Sequence, residues 1–246
     1  MYHVRATAAT TRRIMKQLSH DPRTLALIFV VPIILLSLLK WLYSDSSEIF
    51  NRIGPAFLGL FPFIIMFLLT SITTLRERAG GTFERLMTTP IGKADLIFGY
   101  MITFGMIAVV QALIAATLLL YGLDISIQGP EWFMILMAVV DALLGTALGL
   151  LVSAFAQTEF QAVQFMPAFI FPQLLLGGLL VPLAQMPDAL ESIAYYLPLT
   201  YALDALNGIT KNSDITGEMW RDLYVVGGCI IVALFLGALT LRRRTR

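Results

Sequence analysis

Six runs of apolar residues, each long enough to cross a membrane, constrain this chain more than any other feature. They lie at 25–42, 55–73, 96–121, 132–155, 163–183 and 223–241, and Lys40 and Asp141 are the only charged residues inside them. Inside hydrocarbon no water is available to bond the backbone, so each run must satisfy its own N–H and C=O groups as a helix. A bilayer core of ~30 Å needs about 20 such residues. Of the 246 residues 58% are hydrophobic and 13% charged, and the mean hydropathy is +0.80, far more apolar surface than a water-soluble domain of this length needs. The expected fold is all-α: a polytopic membrane protein with six transmembrane helices, forming one transmembrane domain over residues 1–246.

The connections carry the remaining information. Residues 1–20 place Val4, Ala8, Thr11, Met15 and Leu18 at helical spacing, with Arg5, Arg12 and Lys16 on another face, which predicts an amphipathic helix lying in the lipid headgroups. This segment is too polar, and lacks the small-residue cleavage site, for a removable signal; it is expected to stay. Asp21-Pro22 is a helix start and Pro32 a kink. Thirteen of the Lys and Arg residues fall in 1–24, 74–95 and the tail, against 4 on the other side, so both termini and the 74–95 loop are expected in the cytoplasm. On the outer side, 184–208 reads as a re-entrant lid of two amphipathic helices. Pro187 opens the first, with Leu190, Ile193, Ala194 and Leu197 on one face, and Pro198 closes it; Tyr201–Leu206 forms the second, stopped by Asn207-Gly208.

Between the second and third spans runs TLRERAGGTFERLMTTPIGKADLIFGY, the one long charged segment between two apolar runs on the expected cytoplasmic side. Gly80-Gly81 lets the backbone break, and Thr82 caps a new helix over 82–89 with Glu84 at its positive end. Phe83, Leu86 and Met87 share one small face, ringed by Arg76, Glu77, Arg78, Glu84 and Arg85, and Pro90 ends the segment. A helix this short is unstable alone. It needs something to dock against.

Enzyme chemistry finds no residues to work with. No Walker A sequence is present, because Gly92-Lys93 is followed by Ala94 and Met87 occupies the first glycine's place. His3 and His20 are the only histidines and Cys229 the only cysteine, so no metal, bound cofactor or nucleic-acid partner is expected on this chain. Asp141 heads a column of Asp141, Gly145, Gly149 and Ser153 at i+4 spacing. It reads either as a structural acid hydrogen-bonded across a helix interface or as a proton relay. The fifth run sets Phe165, Met166, Phe169, Phe171 and Gln173 around Pro167 and Pro172, a broken aromatic helix that suits an apolar ligand wall or a structural kink.

Three stretches together, QLSHDPRTLAL, RERAGGTFERLMTTPI and LLLGGLLVPLAQMPDALESIAYYLPLTYALDAL, resemble the permease subunits of type-2 ABC exporters of the daunorubicin-resistance and multidrug type. The likeness covers the chain in order. It departs at Asn207, where many relatives carry a basic residue. The resemblance implies that residues 1–20 are a connecting helix and 82–89 a coupling helix seated in a separate ABC ATPase subunit, which holds ATP and Mg. Contact with that subunit would involve Arg76, Glu77, Arg78, Thr82, Phe83, Glu84, Arg85, Leu86, Met87 and Pro90. It also implies that two permeases, a second copy or a paralogue, pair in the cell membrane around a path lined by the second and fifth spans. The stripes expected to face that path are Phe63, Met66, Phe67 and Thr70 on the second span, and Phe165, Phe169, Gln173 and Leu176 on the fifth. Aromatic walls favour a hydrophobic or amphipathic cargo moved by alternating access. A polysaccharide or lipid-linked glycan exporter, or a proton-coupled carrier using Asp141, are the alternatives.

Overall fold

The computed structural model describes residues 2–80 and 92–240. Among them the chain is helical throughout: α1 (Tyr2–Ser19), α2 (Pro22–Leu42), α3 (Ser47–Ala79), α4 (Lys93–Thr117, continued by a π turn at Leu118–Gly122), α5 (Glu131–Ser153), α6 (Glu159–Leu176), α7 (Asp188–Ala194), α8 (Pro198–Lys211) and α9 (Gly217–Thr240). Local signals start two of these helices, the first of them as expected. Asp21 Oδ1 accepts from Thr24 N–H at 3.2 Å and Pro22 stands at the first helical position of α2. Thr158 Oγ1 accepts from Gln161 N–H at 3.2 Å at the start of α6.

At the centre of the bundle α5 packs on α3, α9, α4 and α8, and its contact with α3 is the most extensive. The cause is the small-residue column read in the sequence. A Cβ at Gly145 would collide with the Phe63 carbonyl, and one at Gly149 would lie 2.6 Å from the Phe67 carbonyl oxygen, so only glycine lets these backbones meet. Asp141 continues the column: its Oδ2 lies 2.8 Å from where a Cβ of Gly59 would sit. The expected hydrogen bond across this interface is absent. Neither Asp141 oxygen has a partner among the described residues, because the helices meet here through glycine and leucine rather than through a donor. The charge of Lys40 is accommodated differently, with Nζ 4.5 Å from the centre of the Phe50 ring.

Among the described residues five helices are long and apolar enough to cross a membrane: α2, α3, α4 with its π turn, α5 and α9. At 33 residues α3 is about 50 Å long at 1.5 Å per residue, well beyond a ~30 Å hydrocarbon core, and Pro55 and Pro62 do not interrupt it. All three tryptophans, Trp41, Trp132 and Trp220, lie at the end of the bundle remote from residue 80, the last two packed with Phe133 and Tyr224 in one aromatic cluster. Such clusters mark a membrane–water interface.

Two expectations need correction. The fifth apolar run is not a broken span over 163–183: α6 is one continuous helix containing Pro167 and Pro172, and it ends at the Gly177-Gly178 turn, where Gly178 takes φ +81°. Glu159 and three glutamines dilute it, and it falls outside the five. In 184–208, Pro198 opens a helix instead of closing one, and Asn207-Gly208 does not stop it; Gly208 lies within the helix and lets Met219 approach, whose Cγ would lie 3.2 Å from a Cβ. Within α1 the face packed on the bundle is Ala6, Thr10, Ile14 and Leu18, while Val4, Ala8, Thr11 and Met15 stay wholly or partly exposed. A close approach of Thr10 to Gly99 of α4, where a Cβ would sit 2.6 Å from Thr10 Cγ2, sets that orientation.

Candidate functional site

The last turn of α3 sends three consecutive side chains to four different elements. Arg76 makes a two-pronged bond to Glu159 at the start of α6, at 2.7 and 2.8 Å. Glu77 accepts from Arg13 of α1 at 2.7 Å and from the hydroxyl of Tyr100 of α4. Arg78 donates to the Ser153 carbonyl at 2.9 Å, placing a cation on the negative end of α5. These pairs differ in weight. Arg76–Glu159 is exposed on both sides, which makes it worth ~0.2–1 kcal/mol. Glu77 is only 8% exposed, and Arg13 keeps its charge against burial because the Glu77 bond and field outweigh that burial, holding its guanidinium above the ordinary range.

The returning limb is held as well. Asp95 caps α4 by accepting from Gly92 N–H at 3.0 Å, and the same carboxylate meets His3 Nδ1 at 2.9 Å. Thr11 Oγ1 lies 3.4 Å from the Gly99 carbonyl. The two limbs flanking residues 81–91, at Glu77 and at Asp95, are thus both tied to α1.

The profile of the ABC-2 type transporter family matches residues 5–210. The chain belongs to that family. It is 26% identical over 207 residues to ABC transporter G family member 20 of Dictyostelium discoideum, covering 82% of this chain and 28% of that protein. It is 24% identical over 182 residues to the probable multidrug ABC transporter permease YbhR of Escherichia coli K12, covering 74% and 50%. It is 28% identical over 151 residues to the linearmycin resistance permease protein LnrN of Bacillus subtilis, covering 59% and 38%. The chain thus spans half or less of the length of these relatives. With the five apolar helices, this ABC-2 chain is a multi-pass membrane protein.

Among the ABC-2 residues expected to meet an ATPase subunit, Thr82, Phe83, Glu84, Arg85, Leu86, Met87 and Pro90 lie outside the described residues, as does the 82–89 helix itself. Glu77 is no surface contact: burial and its two partners turn it inward. Arg78 is likewise spent on α5. The expected path stripes also need correction. Phe63, Met66, Phe67 and Thr70 are fully buried in one protomer, because the Gly145 and Gly149 column draws that side of α3 onto α5. The half-exposed side of α3 is the one carrying Phe57, Phe61, Ile64, Leu68 and Ile72. Gln173 is buried too: its Oε1 accepts from Leu199 N–H at 3.1 Å, satisfying an orphan donor in the first turn of α8. Phe165 and Leu176 are half-buried, while Phe169 is 41% exposed with its ring 6.4 Å from that of Phe67. The two stripes thus touch at Phe67 and Phe169, with the α6 stripe only partly covered.

Sequence reasoning missed the Arg13–Glu77–Tyr100 and His3–Asp95 ties, since nothing local pairs residues 64 or 92 positions apart. The one available signal was an acid on each limb of an otherwise basic segment. It also missed a polar chamber of about 350 Å³ at the tryptophan end, walled by Arg52, Tyr195, Asp204, Lys211, Glu218 and Arg221 beside the Gly177-Gly178 turn. Burial there pushes the Asp204 carboxyl up from its ordinary range, against the pull of Arg221 and Lys211.

Proposed function

We propose that this chain is the permease subunit of an ATP-driven exporter in the cell membrane, with ATP and Mg held by a separate ABC ATPase subunit. The observation that carries the reading is the fan of ties from Arg76, Glu77 and Arg78, on the limb leading into residues 81–91, in a chain of the ABC-2 transporter family. In this reading α6 is the sixth span, both termini and the 81–91 segment are cytoplasmic, and Phe83, Leu86 and Met87 dock on the ATPase subunit. Closure of the ATPase subunits would push on 81–91, and the ties pass that push to the ends of four elements together. Two permeases pair around the path.

With Phe63, Met66, Phe67 and Thr70 committed to the interior, the path wall is assigned to the exposed side of α6, where Phe169 lies, and to the half-exposed side of α3. Apolar, aromatic walls suit a hydrophobic or amphipathic cargo. The multidrug and linearmycin-resistance names of two relatives agree with that class.

Phe83→Asp tests the docking. A charge in a desolvated contact costs a few kcal/mol, so the variant should insert normally yet lose its ATPase subunit on co-purification. Undiminished co-purification would overturn the assignment.

A further inference from the structure

The face of α1 that does not pack on α4 overhangs it, and the two helices enclose a groove of about 1110 Å³. Its floor is Phe98, Ile102 and Met106 of α4, which are 58%, 45% and 43% exposed, and Met15 of α1 lies along its side. These three floor residues follow one another at i+4, so they form a straight apolar track of about 12 Å along the helix. α4 is long and apolar enough to cross a membrane, so in a bilayer an exposed apolar track along it would lie against hydrocarbon. The rim has the opposite character. Arg12 and Lys16 stand one turn apart on α1 beside the groove, and neither side chain has an ion-pair or hydrogen-bond partner among the described residues. One acid, Asp95, also lines the groove, and its carboxylate is engaged by His3 and by Gly92 N–H.

We propose that this groove is a binding site for one anionic phospholipid, its acyl chain on the Phe98–Ile102–Met106 track and its phosphate on Arg12 and Lys16. A concave apolar track opening onto hydrocarbon needs an apolar filler. Two unpaired cations in the groove's lining select a filler with a negative head over a zwitterionic one. A second copy of the chain fits less well, since it would have to bring its own anion to the basic rim. The consequence reaches further than lipid binding. The neighbours of these cations on α1, Arg13 and His3, hold both limbs of 81–91, so the bound lipid sets the position of the helix that grips them. The site depends only on the membrane-spanning fold, not on any ATPase subunit.

The test is native mass spectrometry of the full chain with Cys229→Ala, released from vesicles of phosphatidylcholine with or without phosphatidylglycerol. The parent should retain one phosphatidylglycerol in preference to phosphatidylcholine. Arg12→Ala with Lys16→Ala should lower that preference about thirtyfold, from a contribution of roughly fivefold per cation near a membrane surface. Arg12→Lys with Lys16→Arg should keep most of it, which separates lost charge from lost folding. Ile102→Trp, which fills the track, should reduce retention of both lipids. Retention unchanged in the double alanine variant would overturn the site. So would an equal loss from Arg5→Ala with Arg23→Ala, cations outside the groove, or disulfide cross-linking of Ile102→Cys between two copies at the expense of lipid.

Discussion

Removing the charge of Glu77 is the most informative perturbation of the end of α3. In Glu77→Gln the side chain keeps its size, but Arg13 loses its anion and the Tyr100 hydroxyl loses a charged acceptor. A hydrogen bond to a charged group is worth ~1.5–3 kcal/mol, and the half-buried Arg13 is left without its partner, so a loss of about 2–3 kcal/mol is expected after allowing for the water that reaches Arg13. For a chain of this size 1 kcal/mol moves the midpoint by about 2–4 °C, which places the expected fall at roughly 4–12 °C. Size-exclusion thermostability in mild detergent reads it directly. Arg13→Gln should cost a similar amount, and the double variant should lose much less than the sum, with about 1–3 kcal/mol of coupling. A Glu77→Gln midpoint within 1 °C of the parent, or strict additivity with Arg13→Gln, would refute the tie between α1 and α3.

Other outcomes follow from the same geometry. Gly149→Leu forces a side chain against the Phe67 carbonyl and should cost at least ~1–3 kcal/mol, with α3 and α5 separating enough to lower folded yield; normal yield and midpoint would contradict the close packing. Asp141→Asn keeps the size and neutral hydrogen-bonding capacity at a buried, unpartnered position and should leave transport largely intact, whereas abolished transport in folded protein would point to a proton relay. Asp204 is held protonated more readily when folded, so its stabilising contribution is present below the unfolded value near 3.9 and is lost as pH rises through the raised folded value. Asp204→Asn should therefore be more stable than the parent at pH 7, with the difference shrinking towards pH 4; a pH-independent difference would contradict this.

What could be read in the sequence follows the range of the forces involved. Local and periodic features were legible. The apolar runs became helices, Asp21-Pro22 started α2, and the Asp141, Gly145, Gly149 column became the seam of the bundle, because bilayer length, capping and backbone approach are properties of neighbouring residues. Which face of a helix turns inward was not legible wherever every face is apolar. The stripe of Phe63, Met66 and Phe67 looked like a ligand wall and is core, since in lipid it is small residues on a partner helix, not hydrophobicity, that choose the packed face. The same holds for α1, where Gly99 on α4 decided the orientation. Proline was over-read: Pro167 and Pro172 sit inside one continuous helix, and Pro198 begins one. The ties of Glu77 and Asp95 join residues far apart in the chain and left no local trace beyond their charge.

These ties give the central claim its mechanical content, since a segment fastened on both limbs to α1 can pass a push from outside the membrane into the bundle. The claim is tested most directly by reconstituting the chain with its ATPase subunit in inverted vesicles and following uptake of a fluorescent hydrophobic cation. Uptake should require ATP and persist when the proton gradient is dissipated. It should be lost in Phe83→Asp, and in Glu77→Gln it should fall behind ATP hydrolysis. Uptake driven by a proton gradient in the chain alone, without nucleotide or ATPase subunit, would contradict it.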